Sequence, residues 1–102
     1  MNTKRIAVAA IVAVVSISTV AQAGPISRAC MSSDRSARSP SLCGCIQRAA
    51  DRTLDGRDQR LAAQFFRNPQ KAQDVRMSKS GFHNSFWTRY RQFGETAEAS
   101  CS

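Results

Sequence analysis

The chain has 102 residues with 15 Lys and Arg against 7 Asp and Glu, a net charge of +8 that favours anionic partners and surfaces over cationic ones. At this length there is room for one domain, and four cysteines in so short a chain point to disulfides supplementing a small core.

The first 23 residues read as a targeting segment. Lys4 and Arg5 supply a charged start, residues 6–20 an apolar run, and Ala21-Gln22-Ala23 an A-x-A cleavage site ahead of Gly24. A helix over residues 6–20 would rise roughly 22 Å, short of the ~30 Å hydrocarbon core of a bilayer, and Ser16, Ser18 and Thr19 interrupt it. The expectation is therefore a cleavable signal peptide, 1–23, and a mature domain, 24–102, delivered to the periplasm or secreted. No second apolar run follows, so the mature chain carries no transmembrane segment.

Pro25 suits the first turn of a short helix that runs to about Ser33 and places Ile26, Ala29 and Cys30 on one face. Residues 34–40, rich in Ser and Arg and ending in Pro40, form a loop. The spacing of Leu42, Ile46, Ala49, Ala50 and Thr53 predicts a central helix over 42–54, with Arg48 and Arg52 on its outer side. Asp55-Gly56 ends that helix, and Asp55 also caps the next, where Asp58 stands near the N-terminal amides. Leu61, Ala62, Phe65 and Phe66 give this third helix its apolar face. Asn68-Pro69 restarts the chain as N-cap and first helical residue of a helix to about Met77. Residues 78–81 form a turn, and the last helix, 84–100, carries a stripe of Phe86, Tyr90, Phe93 and Ala97 that Phe82 and Cys101 extend at either end. No strand alternation appears. The fold class is all-α, a small bundle of four to five short helices stapled by two disulfides.

Cys30, Cys43, Cys45 and Cys101 all fall in the mature part of an exported chain, which predicts two disulfides. A bridge from Cys43 to Cys45 would close a strained ring across Gly44, so one of that pair is expected to reach Cys30 and the other Cys101; spacing leaves open which takes which. A thiol-exchange site at Cys43-Gly44-Cys45 is disfavoured by the C-x-C spacing, since redox sites of this kind use C-x-x-C. A metal site of Cys43, Cys45, Cys101 and His83 would satisfy a Cys3His count but lacks paired knuckles.

His83 is the sole histidine, placed in an expected helix-start loop where surface or capping duty is the plain reading. No G-x-S-x-G elbow, phosphate-binding glycine loop or H-E-x-x-H helix is present. The chain is therefore read as non-enzymatic, with no catalytic residue, no cofactor and no metal. The mature segment holds eleven Arg and two Lys, and export together with the lack of a nucleic-acid motif argues against a nucleic-acid partner. Trp87 and Arg91, four residues apart, could stack on the outside of the last helix. With Arg89, Arg48 and Arg52 they are the candidate surface-binding residues, for an envelope protein or an anionic ligand.

Arg28-Ala29-Cys30, Leu42-Cys43-Gly44-Cys45-Ile46-Gln47, Asp58-Gln59-Arg60, Phe65-Phe66-Arg67-Asn68-Pro69, Phe86-Trp87-Thr88-Arg89-Tyr90 and Phe93-Gly94 together resemble a family of small exported alphaproteobacterial proteins. Members of that family often carry the label arginine transporter, and others are uncharacterised; the resemblance implies no catalytic or binding residue. A chain without a membrane-spanning helix is not a permease by itself. What the resemblance implies is an accessory role in arginine uptake, as the alternative to a binding or interaction protein of the cell envelope.

Overall fold

A computed structural model describes residues 9–14 and 24–101. Most of the expected signal segment lies outside these; within it, residues 9–14 have no regular structure and leave Ile11, Val12 and Val14 exposed. The described residues form five helices and no strand: α1 (Pro25–Ser32), α2 (Pro40–Thr53), α3 (Gly56–Arg67), α4 (Pro69–Met77) and α5 (Gly81–Ser100). None is long and apolar enough to cross a membrane.

Local chemistry sets the helix ends. Pro occupies the first turn of α1, α2 and α4, where a missing N–H costs nothing. Ser39 caps α2 by accepting from the Leu42 N–H, so this helix begins two residues before the apolar pattern does. Asp55 caps α3 through the Asp58 N–H at 2.8 Å. Asn68 is the N-cap of α4, as expected, without a side-chain bond. Ser80 caps α5 by accepting from the His83 N–H, so α5 starts at Gly81, three residues earlier than the aromatic stripe suggests.

Helix α2 is the axis of the fold. Successive residues on a helix are about 100° apart, so Cys43 and Cys45 project on nearly opposite sides. Cys43 bonds Cys30 of α1, and Cys45 bonds Cys101 at the end of α5. This resolves the pairing that spacing left open, and α2 is stapled to a different neighbour on each side. Between the staples, α1 lies on α2 and α3, while α5 lies on α2, α3 and α4.

The core is Ile26 and Ala29 from α1, Ala49 and Ala50 from α2, Leu54 at the C-cap of α2, Ala62, Ala63 and Phe65 from α3, Val75 from α4, and Phe86 and Phe93 from α5. Five alanines let the helix backbones approach closely. The larger volume comes from an aromatic ladder: Phe65 meets Phe86 and Tyr90 edge-on at 5.9 and 5.3 Å, and Tyr90 stacks with Phe86 at 5.6 Å. Edge-to-face geometry places positive ring edges on negative faces, which adds to simple burial.

Two polar features are embedded in this core. Gln47 on α2 accepts from the Ser27 N–H at 2.9 Å and donates to Asp51 and to Gln59 at 2.9 and 2.8 Å. Gln59 in turn donates to Asp51 and to the Leu54 carbonyl. Every donor of both amides is used, so the network joins α1, α2 and α3 without an unpaired buried group. Gly24 lies so close to it that a Cβ there would sit 2.3 Å from the Gln47 side chain. The second feature is the pair of Asp58 and Arg89, bridging α3 to α5.

Candidate functional site

Asp58 is fully buried, and Arg89 grips it with two parallel bonds, Nε to Oδ2 at 2.6 Å and Nη2 to Oδ1 at 2.8 Å. The hydrogen bonds from Arg89 hold the Asp58 carboxyl below the usual carboxylate range, against the burial that pushes it up; the Arg89 charge, the Asp55 backbone N–H and the Arg57 charge act in the same direction as the bonds. Arg57 itself sits over the Phe82 ring at 3.7 Å. Asp58 was expected near the amides of α3 and is there, but its main partner is a residue 31 positions later in the chain. Arg89, a candidate surface-binding residue, has this structural duty.

The other candidates are spread along the molecule. Arg48 lines a groove of about 440 Å3 beside the Cys45–Cys101 bridge, together with Ser39, Ser41, Leu42 and Ser100. Cys45 Sγ approaches the Ser100 carbonyl at 3.3 Å there, but a disulfide sulfur has no proton to donate. Arg91 is exposed on α5, ten residues before Cys101 and thus about 15 Å along the helix from this groove. Arg52 is exposed in the last turn of α2. Trp87 is half-buried, packed against the core with its ring 5.2 Å from Tyr90. The cation–π contacts of the described residues are Arg35 on Phe66 and Arg57 on Phe82 rather than Arg91 on Trp87. Of these five residues, Arg89 is engaged with Asp58 and Trp87 packs against the core.

The cysteines and the histidine are also placed. All four cysteines are in disulfides, and among the described residues no three His, Cys, Asp or Glu side chains gather as a metal site would need. His83 lies in the first turn of α5 and not in a loop; its Nδ1 is 2.7 Å from Ser78 Oγ, which ties the α4–α5 connection to the helix.

A different set of residues lines a second groove. The segment after α1, the C-terminal end of α3, the start of α4 and the middle of α5 enclose a groove of about 490 Å3, within the usual range for small-molecule sites. Phe65, Phe66 and Tyr90 supply its aromatic wall, Pro69 and Ala72 extend the apolar surface, and Ser33, Asp34, Arg35 and Arg67 supply the polar rim. The rim segment is fixed at its start: Ser33 Oγ donates to the Cys30 carbonyl at 2.6 Å, and Arg38 donates to the Ser33 carbonyl. The Arg35 guanidinium lies 5.8 Å from the Phe66 centroid. Neither Arg35 nor Arg67 forms an ion pair with a described residue. Burial raises the Tyr90 phenol above its ordinary value, with the Arg35 charge acting the other way, so the hydroxyl stays protonated at neutral pH. That hydroxyl has no hydrogen-bond partner among the described residues.

Sequence reasoning passed over Arg35 and Arg67. One signal was available: consecutive Phe65 and Phe66 point about 100° apart on a helix, so one must leave the core centre and border something else. Phe65 is buried and Phe66 half-exposed, on the groove. Set against protein-family models, curated proteins and solved structures, the chain matches none.

Proposed function

We propose that this chain is an exported, non-enzymatic binding module of the cell envelope, and that the groove walled by Phe65, Phe66 and Tyr90 takes an anionic ligand. The observation that carries the reading is the pair of arginines, Arg35 and Arg67, standing without a carboxylate partner at the rim of an aromatic cavity. Export is supported by the two disulfides and by the N-terminal pattern of residues 1–23. The titratable groups of the groove are Asp34, Arg35, Arg67 and Tyr90, which supply charge and a hydroxyl donor but no nucleophile set beside a base.

The test is a titration of the oxidised, 15N-labelled protein with 2-naphthoate, decanoate and phenyl phosphate, followed by amide shifts. The expected result is saturable shifts at residues 33–35, 65–67 and 90, absent from the Arg48 groove. If none of the three anions moves those amides, the reading is wrong. The alternative, an accessory role in arginine uptake, would put a cation where Arg35 and Arg67 outnumber Asp34; arginine-dependent thermal stabilisation is its test.

A further inference from the structure

The side chains lining the groove include two guanidinium groups and one carboxylate, a balance of one positive charge. A singly charged head neutralises it. A dianion would overshoot and bring excess negative charge beside Asp34, which forms no ion pair with a described residue. Arg35 holds its charge over the face of Phe66, so the anionic head and the apolar body of a ligand must lie next to each other. The surfaces that meet the body are ring faces and edges, of Phe66 and Tyr90, which favour a flat partner in offset or edge-on contact. The Tyr90 hydroxyl offers one more donor to an acceptor-only group, and a carboxylate is such a group. Guanidinium forks match carboxylate geometry as well as charge.

We infer that the groove binds a monoanionic carboxylate carried directly on a flat apolar body, with Arg35 and Arg67 on the head and Phe66 and Tyr90 against the body. The inference rests on the binding-module reading and narrows its ligand to one class. A flexible chain bearing the same head loses rotamer freedom on binding, which a flat ring system does not.

The experiment is calorimetric titration of the oxidised protein at pH 7.5 with 2-naphthoate, 2-naphthamide, 2-naphthyl phosphate and decanoate. The same naphthoate titration is run on Arg35→Gln, Arg67→Gln and Arg48→Gln. Arg35 and Arg67 are exposed and neither side chain donates a hydrogen bond to a described residue, so their variants are expected to fold, and circular dichroism checks it. Naphthoate is expected to bind about tenfold or more tightly than naphthamide, the usual worth of a charged hydrogen bond. It should also bind more tightly than naphthyl phosphate and decanoate. Arg35→Gln and Arg67→Gln should each weaken it about tenfold, and Arg48→Gln should leave it unchanged. Equal binding of the amide, tighter binding of the phosphate, or equal binding of decanoate overturns the ligand class while the binding-module reading stands. Indifference of naphthoate to Arg35→Gln and Arg67→Gln overturns the assignment of the head. Failure of all four probes, and of the anions tested by amide shifts, removes both.

Discussion

The pair of Asp58 and Arg89 is asymmetric, and the asymmetry predicts unequal costs for removing either partner. Asp58 is 0 % exposed, whereas the Arg89 side chain is 36 % exposed. Arg89→Ala leaves a buried carboxylate without its charged partner, and the expected loss is about 3 kcal/mol, at the lower end for breaking a buried pair. Asp58→Ala leaves a guanidinium that turns into solvent, so its loss should be nearer 1 kcal/mol, roughly that of the hydrogen bonds themselves. For a domain of this size 3 kcal/mol lowers Tm by about 12–24 °C. Adding Asp58→Ala to Arg89→Ala removes the stranded charge, so the double variant should be more stable than Arg89→Ala alone. Urea denaturation of the four oxidised proteins, with midpoints and slopes fitted together, reads all three comparisons. Equal single-variant losses, or a double variant weaker than Arg89→Ala, would refute the reasoning.

Three further outcomes follow from other parts of the fold. Because Arg89 holds the Asp58 carboxyl low, its contribution is complete above the unfolded pKa and is lost as pH falls below about 4; Tm of the wild type should drop there more steeply than Tm of Asp58→Asn. Gly94→Ala meets nothing within 4 Å inside α5 and should stabilise by up to about 1 kcal/mol, while Gly24→Ala collides with Gln47 and should destabilise, both read from urea midpoints. Cys30 and Cys43 are buried at 3 % and 0 %, whereas Cys45 and Cys101 are half-exposed beside the Arg48 groove. Limited reduction followed by thiol alkylation and peptide mass mapping should therefore find Cys45 and Cys101 labelled first; simultaneous labelling of all four would count against it.

Much of the fold was legible because its punctuation is local. Pro25, Pro40 and Pro69 open helices, Asp55 caps one, and Asn68 marks the break between α3 and α4. The errors at helix starts have one cause: Ser39 and Ser80 act as caps ahead of the first apolar residue, and periodicity registers a helix only once its buried face begins. The pairing of the cysteines needed the helix geometry of α2, which the pattern supplied but the spacing alone did not use. Partners far apart in sequence were not legible. Asp58 looks like an ordinary first-turn acid until Arg89 is brought to it, and Gln47 looks like a surface residue until Ser27 and Gln59 close around it. The groove is the extreme case, since four segments share it and each alone reads as loop, helix end or core stripe.

The two disulfides also bear on how the molecule is made. Cys30 joins Cys43 and Cys45 joins Cys101, so each bridge links cysteines that are consecutive in the chain, and the two closed loops follow one another without overlapping. For a chain delivered N-terminus first to an oxidising compartment, pairing in order of arrival is native pairing. On the proposed export route, Cys30 and Cys43 can be joined while the C-terminal half is still in transit, which leaves Cys45 with Cys101 as its only remaining thiol. The correct connectivity is thus reachable without a reshuffling step.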